Sequence, residues 1–316
     1  MRRADTGSSS VTIDGHRLEL TNLDKVLYPQ AQVTKAEVIH YYAQVAPVLL
    51  PHLTGRPVTL RRFPDGVDGP SFFEKNAGRA APGWVQTVDV PRHPGSARAR
   101  GRGGEGEADA DIHYVMIGDA ASLAWAANLA ALELHTPMWR AAGGRGEGPA
   151  DIMVFDLDPG EPAAMVECCT VALWLREALV DAGYDVLPKT SGSKGLQLYV
   201  PLDPLQSSEQ SSAEAHRIAR DLERAHPEAV VSNMRKELRR GKVLIDWSQN
   251  SAAKTTIAPY SLRAQPFPTV STPVTWEEVR QGAAGSAALR FEHTDVLRRV
   301  ETLGDIFAGA GAPAPR

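Results

Sequence analysis

Three carboxylates on predicted strands are the residues of this chain best suited to chemistry. Asp156 and Asp158 stand two apart after the apolar run 152–155, and Asp246 ends the run Val-Leu-Ile-Asp. Successive strand side chains point to opposite faces, so Asp156 and Asp158 share one face. A carboxylate is costly to bury in such a strand unless it is paired or bound to metal. We predict that the three hold two divalent cations, a recurrent device for in-line phosphoryl or nucleotidyl transfer.

Oxygen ligands favour Mg²⁺ or Mn²⁺ over zinc at such a site. Each carboxylate also has a simpler interpretation when it is taken alone. Asp158 before Pro159 is typical of a strand that ends in a turn. Asp246 could equally be a core carboxylate paired with an arginine. Their combination favours the metal site.

A small-residue basic loop, Ser191-Gly-Ser-Lys-Gly195, lies between these strands. Backbone N–H groups in such turns bind anions, so the loop is predicted to hold the phosphates that the reaction moves. A plain hairpin turn fits the same residues, and the spacing does not match the Gly-x-x-x-x-Gly-Lys-Ser/Thr phosphate loop. A basic run precedes Asp246 and fits either a solvated helix face or a phosphate-binding surface, with function favoured for Arg239. Its members are Arg235, Lys236, Arg239, Arg240 and Lys242.

Two aromatic residues and one histidine are weaker candidates. Phe72 and Phe73 are adjacent in a Pro/Gly-flanked segment, where one could join the core and the other could be a platform for base stacking, and a purely structural role for both fits the sequence at least as well. His135 is predicted at the end of an apolar helix over Ser122–His135, where a histidine usually caps or packs.

Composition bounds the class of protein. With 316 residues, 43% of them hydrophobic, the chain can build one large domain or two modules. No apolar run is long enough to span a bilayer and no secretory leader is seen, so no membrane partner is expected. The only cysteines are Cys168 and Cys169, which exclude a disulfide framework and fit a reducing cytoplasm.

Charge is divided unevenly along the chain. Net charge is −4, but residues 1–103 carry 14 Lys or Arg and 9 Asp or Glu, a balance of +5, and the remainder carries 20 and 29, a balance of −9. A basic amino-terminal part with an acidic remainder suits a polyanion that one part holds and the other processes.

Strands that alternate with helices predict an α/β (α+β) layered fold. A capping box, Thr34-x-x-Glu37, opens a helix expected to stop near Pro51. The other expected elements are a strand or hairpin arm over 11–20, strands over 57–63, 152–157, before 191, 196–200 and 243–247, helices over 122–135, 166–182 and 213–225, and one or two terminal helices from 276.

The expected organisation is a tail, two modules and a second tail. Residues 1–10 are predicted to be a disordered tail, 11–142 an N-terminal module with a mobile loop over 92–111, 143–308 a catalytic module, and 309–316 a tail. The Gly-rich segment 143–149 is predicted to be a flexible linker at the boundary.

Seven segments together resemble the polymerase domain of bacterial ligase D, which belongs to the archaeo-eukaryotic primase superfamily and serves in non-homologous end joining. The resemblance is dense from about residue 18 to the terminal helices. The segments are Leu-Thr-Asn-Leu-Asp-Lys (20–25), Phe-Phe-Glu-Lys-Asn (72–76), Glu-Leu-His-Thr-Pro-Met-Trp (133–139), Phe-Asp-Leu-Asp-Pro (155–159), Thr-Ser-Gly-Ser-Lys-Gly (190–195), Asp-Trp-Ser-Gln-Asn-Ser (246–251) and Lys-Thr-Thr-Ile-Ala-Pro-Tyr-Ser-Leu-Arg (254–263).

The resemblance implies a primase-polymerase fold, with central mixed or antiparallel sheets flanked by helices in two interlocked modules, and it implies roles for individual residues. The metal-binding catalytic residues would be Asp156, Asp158 and Asp246. The residues that hold the incoming NTP or dNTP would be Arg61, His135, Ser191, Lys194, Arg239, Gln249 and Arg263. The downstream 5′-phosphate would be held by Asn22, Lys25 and Lys35, and the template met by Phe72 and Phe73. Ribonucleotides would be preferred, with Mn²⁺ or Mg²⁺ as the two ions.

The chain departs from the family pattern at three points. Arg61 stands where the family has Lys, which changes geometry while keeping charge. The loop 92–111 is longer than usual. The Lys-x-Asp-Gly motif of a ligase does not occur, so the chain is expected to be either an excised domain or a stand-alone paralogue, and its Met-Arg-Arg start and Ala/Pro/Gly-rich end favour the paralogue.

The favoured hypothesis is a template-dependent polymerase, acting in the cytoplasm at the nucleoid, that fills short gaps in duplex DNA carrying a 5′-phosphate. One alternative is an end-joining polymerase or DNA-end bridging module that works with a separate DNA ligase and a Ku-like end-binding protein. A third is a primase that starts chains without a primer.

Overall fold

The computed structural model describes residues 8–78, 81–92, 111–143 and 146–308, so most of the predicted loop 92–111 and of both predicted tails lies outside the described residues. The strands are β1 Ser9–Ile13, β2 His16–Leu20, β3 Val26–Tyr28, β4 Val33–Thr34, β5 Pro57–Arg62, β6 Phe72–Glu74, β7 Thr87–Val90, β8 Ile112–Met116, β9 Ala131–Thr136, β10 Trp139–Ala141, β11 Glu147–Pro159, β12 Leu187–Thr190, β13 Leu196–Gln206, β14 Val230–Val231, β15 Val243–Asp246 and β16 Thr256–Ile257. The helices are α1 Lys35–Leu53, α2 Ala120–Asn128, α3 Met165–Asp181, α4 Ser208–Ala225, α5 Trp276–Ala283 and α6 His293–Leu303, with 3₁₀ turns at Lys236–Leu238 and Trp247–Asn250.

Two six-stranded sheets form the centre of the molecule. The β11 sheet has the strand order β12-β13-β11-β15-β14, with β10 also paired to β11. The β5 sheet has the order β16-β9-β5-β8-β7, with β6 also paired to β5. Among the described strands β14 and β15 are the one parallel pair, and the other pairs are antiparallel. The predicted α/β class with mixed and antiparallel sheets is confirmed.

The middle of strand β11 is buried because it is apolar on both faces. Met153, Val154 and Phe155 are fully buried. Helices α3 and α4 pack on this strand, and their apolar side chains form one core with it. A strand covered on both faces reads as a continuous apolar run, which is why its Asp residues stand out.

Helix α1 anchors the core on which the β5 sheet packs. The predicted capping box is present, since the Thr34 hydroxyl accepts from the Glu37 N–H and the Glu37 carboxylate accepts from the Thr34 N–H. The helix runs to Leu53, two residues beyond Pro51, because Leu49 and Leu53 are fully buried and hold its last turn in the core.

The predicted helix over Ser122–His135 is wrong in its second half. Helix α2 ends at Asn128, Ala130 has a positive φ of 58°, and β9 then carries the chain to Thr136. The run is mostly apolar and mostly buried, and such a run cannot be assigned to helix or strand from periodicity alone. His135 therefore lies on a strand, opposite Thr59 of β5.

The segment expected to be a flexible linker is in part regular structure. Residues 147–149 belong to β11, which pairs with β10 directly before them. Strand β10 lies before residue 143 and joins the β11 sheet, whereas β16 lies after it and joins the β5 sheet. Each sheet thus takes strands from both sides of that position. At the amino end, Ser9 and Ser10 already belong to β1 rather than to a tail.

No helix within the described residues is long and apolar enough to cross a membrane.

Candidate active site

The structure brings the three predicted carboxylates to one face of the β11 sheet. Asp156 of β11 lies directly opposite Asp246 of β15, and Asp158 lies two residues along on the same strand. Residues directly opposite in an antiparallel pair project from the same face, with Cβ atoms about 4.5–5.5 Å apart. Three acidic side chains therefore share one small surface.

The electrostatics of this surface fit a cation site. Burial and the neighbouring charge of Asp158 raise the pKa of Asp156 to about 7. Burial and Asp246 also raise the pKa of Asp158, against the opposing charges of Arg239, Arg263 and Lys194. Asp156 Oδ1 is buried and accepts no hydrogen bond within the described part of the chain. Crowded, desolvated oxygen ligands of this kind suit a hard divalent ion.

The third carboxylate, Asp246, accepts hydrogen bonds from residues that directly follow it in the chain. Asp246 accepts hydrogen bonds from Ser248 N at 2.9 Å, Ser248 Oγ at 2.6 Å and Gln249 Nε2 at 2.9 Å. Consistent with this, the described ranges contain no group of three His, Cys, Asp or Glu side chains arranged to hold a metal ion. Asp246 would have to exchange the Gln249 bond for the ion. Gln249, predicted to contact the nucleotide, is placed on Asp246 instead.

The small-residue loop between β12 and β13 packs directly on the carboxylate strand. A Cβ on Gly195 would lie 1.9 Å from the Leu157 carbonyl oxygen, between Asp156 and Asp158. Ser191 is buried, and its hydroxyl accepts from the N–H groups of Ser193 and Gly195, both at 3.2 Å. The Ser191 hydroxyl therefore closes the loop, while Lys194, 74% exposed and 3.7 Å from the Glu161 carboxylate, extends into solvent beside the carboxylates.

Arg239 is the member of the basic run that lies near the carboxylates, and one of its N–H donors has no hydrogen-bond acceptor among the described residues. A Cβ on Gly160, directly after β11, would lie 1.9 Å from the Arg239 carbonyl oxygen, so the two backbones are in close contact. One Arg239 Nη donates to Met234 O at 2.6 Å. Its Nε is buried and donates no hydrogen bond to the described residues. Arg235, Lys236 and Arg240 are exposed, as a solvated surface requires.

A second cluster faces these groups from the β5 sheet. Glu133 of β9, 1% exposed, accepts from Arg61 Nη1 at 3.2 Å, His135 Nε2 at 3.0 Å and Arg263 Nε at 3.1 Å. Arg263 Nη1 also donates to Ser191 O at 2.9 Å, which ties the cluster to the loop. Glu133 was not among the predicted site residues, although a Glu in an apolar run two residues before His135 was a signal for it.

The titration of this cluster follows from its contacts. Burial alone would raise the pKa of Glu133, but the hydrogen bond from His135 and the charge of Arg263 outweigh it and hold that pKa well below its usual range. Burial lowers the pKa of His135, and Glu133 opposes this.

The aromatic pair is divided between two faces of one strand pair. Phe72 lies opposite Arg62, and Phe73 lies opposite Arg61, across β5 and β6. Phe72 and Phe73 are 46% and 58% exposed, so the expectation that one of them joins the core is wrong. The Phe73 ring meets the His135 ring at 5.6 Å between centroids and lies 5.4 Å from the Arg61 guanidinium. The Phe72 ring lies 5.3 Å from the Arg62 guanidinium.

The predicted 5′-phosphate residues form a cationic patch at the start of α1. Lys35 is buried, its Nζ donates to Thr21 O at 2.6 Å, and burial together with Lys25 and Arg62 lowers its pKa to about 8. Lys25 is partly exposed and pairs with Asp65 at 2.8 Å. Asn22 is exposed, with a φ of 54°, and its carbonyl accepts from Lys25 N. Like charges that depress a neighbouring lysine pKa favour a bound anion.

The carboxylate cluster on the β11 sheet, bordered by arginines and a basic small-residue loop, is a site suited to nucleotidyl transfer. The sequence of the chain matches the family described as LigD, primase-polymerase domain, over residues 34–307. The chain belongs to this family, whose members are metal-dependent polymerases.

Individual relatives agree with this assignment. The chain is 45% identical over 299 residues to the multifunctional non-homologous end joining protein LigD of Mycolicibacterium smegmatis, and 31% identical over 298 residues to the bifunctional LigD of Bacillus subtilis. These alignments cover 95% and 94% of this chain but 37% and 43% of the relatives, so the chain spans less than half of their length.

A solved structure confirms the primase-polymerase fold. The polymerase domain from Mycobacterium tuberculosis ligase D in complex with DNA superposes with a TM-score of 0.85 at 45% identity, covering 95% of this chain and 99% of that one.

Proposed function

We propose that this chain is a template-dependent polymerase that fills short gaps in duplex DNA during repair. The observation that carries the proposal is the cross-strand pair Asp156 and Asp246 beside the loop 191–195 and Arg239. It extends primers with NTPs or dNTPs, and the family resemblance supports ribonucleotides as the preferred substrates. Because the proposed substrate is DNA, the enzyme is expected to act at the nucleoid in the cytoplasm.

We infer that the carboxylate cluster binds two divalent ions, Mn²⁺ or Mg²⁺, because hard cations of this kind favour oxygen donors. Asp156, Asp158 and Asp246 would hold these ions, which when bound supply activation of the primer 3′-hydroxyl and neutralisation of phosphate charge. The raised pKa of Asp156 and its unpaired buried oxygen support this assignment.

The side chains around the carboxylates bind and orient the triphosphate. Arg239, with a buried donor unused, and Lys194, mostly exposed, supply positive charge where charge develops on the phosphates. The loop 191–195 adds backbone N–H groups, and Arg263 links this loop to the β5 sheet. His135, Arg61 and Gln249 complete the proposed nucleotide site.

The cationic patch on the other side of β5 and β6 would hold the downstream edge of a gap. Lys25, Lys35 and Asn22 would bind a 5′-phosphate, and Phe72 and Phe73 would stack against template bases. The solved relative in complex with DNA supports nucleic acid as the partner.

End joining is a second candidate setting for the same activity, and the names of the LigD relatives favour it. In that setting the chain would act with a DNA ligase and a Ku-like end-binding protein.

Primer extension on a short-gapped duplex tests the proposal, with or without a downstream 5′-phosphate, with Mn²⁺ or Mg²⁺, and with rNTPs or dNTPs. The Asp156→Ala/Asp158→Ala protein is the inactive comparison, and Asp181→Ala/Asp185→Ala, which removes two exposed carboxylates, is its matched control. Templated extension that the 5′-phosphate stimulates and only the first variant loses is the expected result. If the protein binds the gap but does not extend the primer, the polymerase proposal is wrong and a DNA-end bridging module becomes the favoured hypothesis.

A further inference from the structure

We propose that Glu133 is the positioning residue of the nucleotide site, a buried carboxylate that holds Arg61, His135 and Arg263 in one arrangement so that they meet the incoming nucleotide together. The inference rests on the proposed function, because these three side chains are nucleotide ligands only within it. It assigns the carboxylate a role distinct from that of the metal-binding aspartates.

The hydrogen bonds of Glu133 leave it no capacity to bind a ligand itself. Oε2 accepts from Arg61 Nη1 at 3.2 Å and from His135 Nε2 at 3.0 Å. Oε1 accepts from Arg263 Nε at 3.1 Å and from the Ala264 N–H at 3.1 Å. An ionised carboxylate offers about four acceptor sites, so all of them are used. Glu133 therefore acts through its donors.

The donors come from three separate segments of the chain. Arg61 lies opposite Glu133 across β5 and β9, and His135 is two residues along β9 on the same face. Arg263 lies beyond β16, near the carboxylates of the β11 sheet, and also donates to Ser191 O. One carboxylate thus joins the β5 sheet to the loop 191–195 that borders the metal-binding aspartates.

Electrostatics require such an anion at this point. Arg263 and Arg61 both oppose a positive charge on His135, and Glu133, the acceptor that the three groups share, is 1% exposed. Without Glu133 the two arginines would lose the negative charge that compensates them, and all three groups would lose their common acceptor. Removing one partner of a buried charge cluster leaves the remaining charges uncompensated, which is far costlier than losing an exposed pair.

A second carboxylate that pairs with two arginines provides the comparison. Asp151 of β11 accepts from Arg56 Nη2 at 2.7 Å and Arg140 Nε at 2.9 Å, and 13% of its side chain is exposed. It too binds two arginines, but neither of them is a proposed nucleotide ligand. Asp151 therefore represents a carboxylate whose role is confined to stability.

The test compares Glu133→Gln with Asp151→Asn. Both substitutions remove the charge and keep the shape. We measure the melting temperature, kcat and KM for the nucleotide in gap filling, and equilibrium binding of a fluorescent rNTP without turnover. Glu133→Gln is expected to raise the nucleotide KM and Kd by about tenfold or more, since hydrogen bonds to charged groups are lost at three ligands, and to change kcat by less than about threefold. Asp151→Asn is expected to lower the melting temperature and leave KM unchanged.

Equal behaviour of the two variants, with lower melting temperatures and unchanged nucleotide affinity, would overturn the proposal. The binding measurement also separates this inference from the proposed function. A wild-type protein that binds nucleotide with an affinity that Glu133→Gln lowers, but that never extends a primer, would end the polymerase proposal alone.

A second pair of variants covers the case in which Glu133→Gln does not fold. Arg61 and His135 donate to the same oxygen of Glu133, so their contributions to nucleotide binding should be coupled. In an Arg61→Met and His135→Gln double-mutant cycle, the expected combined loss differs from the product of the single losses by about threefold or more. Independent losses that multiply would show that Glu133 does not couple its donors.

Discussion

Asp156 and Asp246 are direct partners across β11 and β15, at the point where Asp158 also reaches the same face. The pairing concentrates negative charge where burial already penalises it, and this raises the pKa of both β11 carboxyls. The protein without bound cations is therefore destabilised locally by the groups that its proposed chemistry needs. Divalent ions would relieve this repulsion, so cation binding and stability should be linked.

The first prediction concerns stability against pH without metal. The pKa of Asp156 rises from an ordinary value of 3.8 to about 7 on folding. Between these values the folded protein binds a proton that the unfolded chain does not, so the free energy of unfolding falls as pH rises through this window. Asp156→Asn should remove this dependence and stabilise the metal-free protein above pH 7 by about 1 kcal/mol or more. Melting temperatures of both proteins from pH 5 to pH 8, in EDTA, give the measurement.

Added Mn²⁺ provides the control for this prediction. It should stabilise the wild type increasingly as pH rises through the same window, and it should stabilise Asp156→Asn much less. Parallel melting curves for the two proteins at every pH would show that Asp156 is not the destabilising group.

The chemistry of the site could be predicted from the sequence more completely than its geometry. Asp156, Asp158 and Asp246 stand out because each interrupts or ends an apolar strand. The hydrogen bonds between Asp246 and the residues Ser248 and Gln249 depend on the 3₁₀ turn Trp247–Asn250, which the local sequence pattern does not predict. The position of His135 on a strand depends on pairing with β5, which lies some 75 residues earlier in the chain.

Glu133 shows most clearly that the contacts of the site could not be predicted from the sequence. Its residue type and its spacing from His135 were visible in the sequence. Its partners come from β5, β9 and the segment after β16, and only tertiary structure shows which cations meet at one carboxylate. Sequence periodicity describes the face of an element but carries no information on contacts between distant elements.

The second prediction concerns the contact between the loop 191–195 and the carboxylate strand. A Cβ at Gly195 would lie 1.9 Å from Leu157 O, so Gly195→Ala must push the loop away from Asp156 and Asp158. We expect the nucleotide KM to rise by about tenfold or more and stability to fall by about 1–3 kcal/mol. Steady-state kinetics and denaturant unfolding measure the two effects. Gly118→Ala is the matched control, because a Cβ at Gly118 meets nothing within 4 Å. Equal kinetics for the two variants would contradict the packing argument.

The third prediction is that Phe72 and Phe73 act differently although they are adjacent. Phe73 contacts the His135 ring and the Arg61 guanidinium, whereas Phe72 contacts Arg62 on the opposite face. Phe73→Leu should therefore raise the nucleotide KM several-fold and also weaken binding to gapped DNA. Phe72→Leu should weaken DNA binding alone, by about 1–3 kcal/mol if a base stacks on it. Nucleotide titrations at saturating DNA separate the two effects, and identical nucleotide KM values for both variants would refute the division of the pair.

The last prediction concerns recognition of the downstream 5′-phosphate. Lys35 is buried with its Nζ on Thr21 O, and burial followed by the charges of Lys25 and Arg62 lowers its pKa to about 8. A phosphate dianion placed among these cations would favour the charged lysine, so binding of the 5′-phosphate and the charge of Lys35 support each other. Lys35→Met keeps the length of the side chain and removes the charge.

In this variant the stimulation of gap filling by a 5′-phosphate should be about tenfold smaller than in the wild type. The slope of the logarithm of the gap-binding constant against the logarithm of salt concentration should decrease in magnitude by about one. Extension on a gap that ends in a 5′-hydroxyl should be unchanged, which makes that substrate the internal control. Because the substitution also removes a charge from a buried site, the melting temperature should not fall. A loss of activity that is equal on both substrates would assign Lys35 to the fold and leave the 5′-phosphate to Lys25 and Asn22.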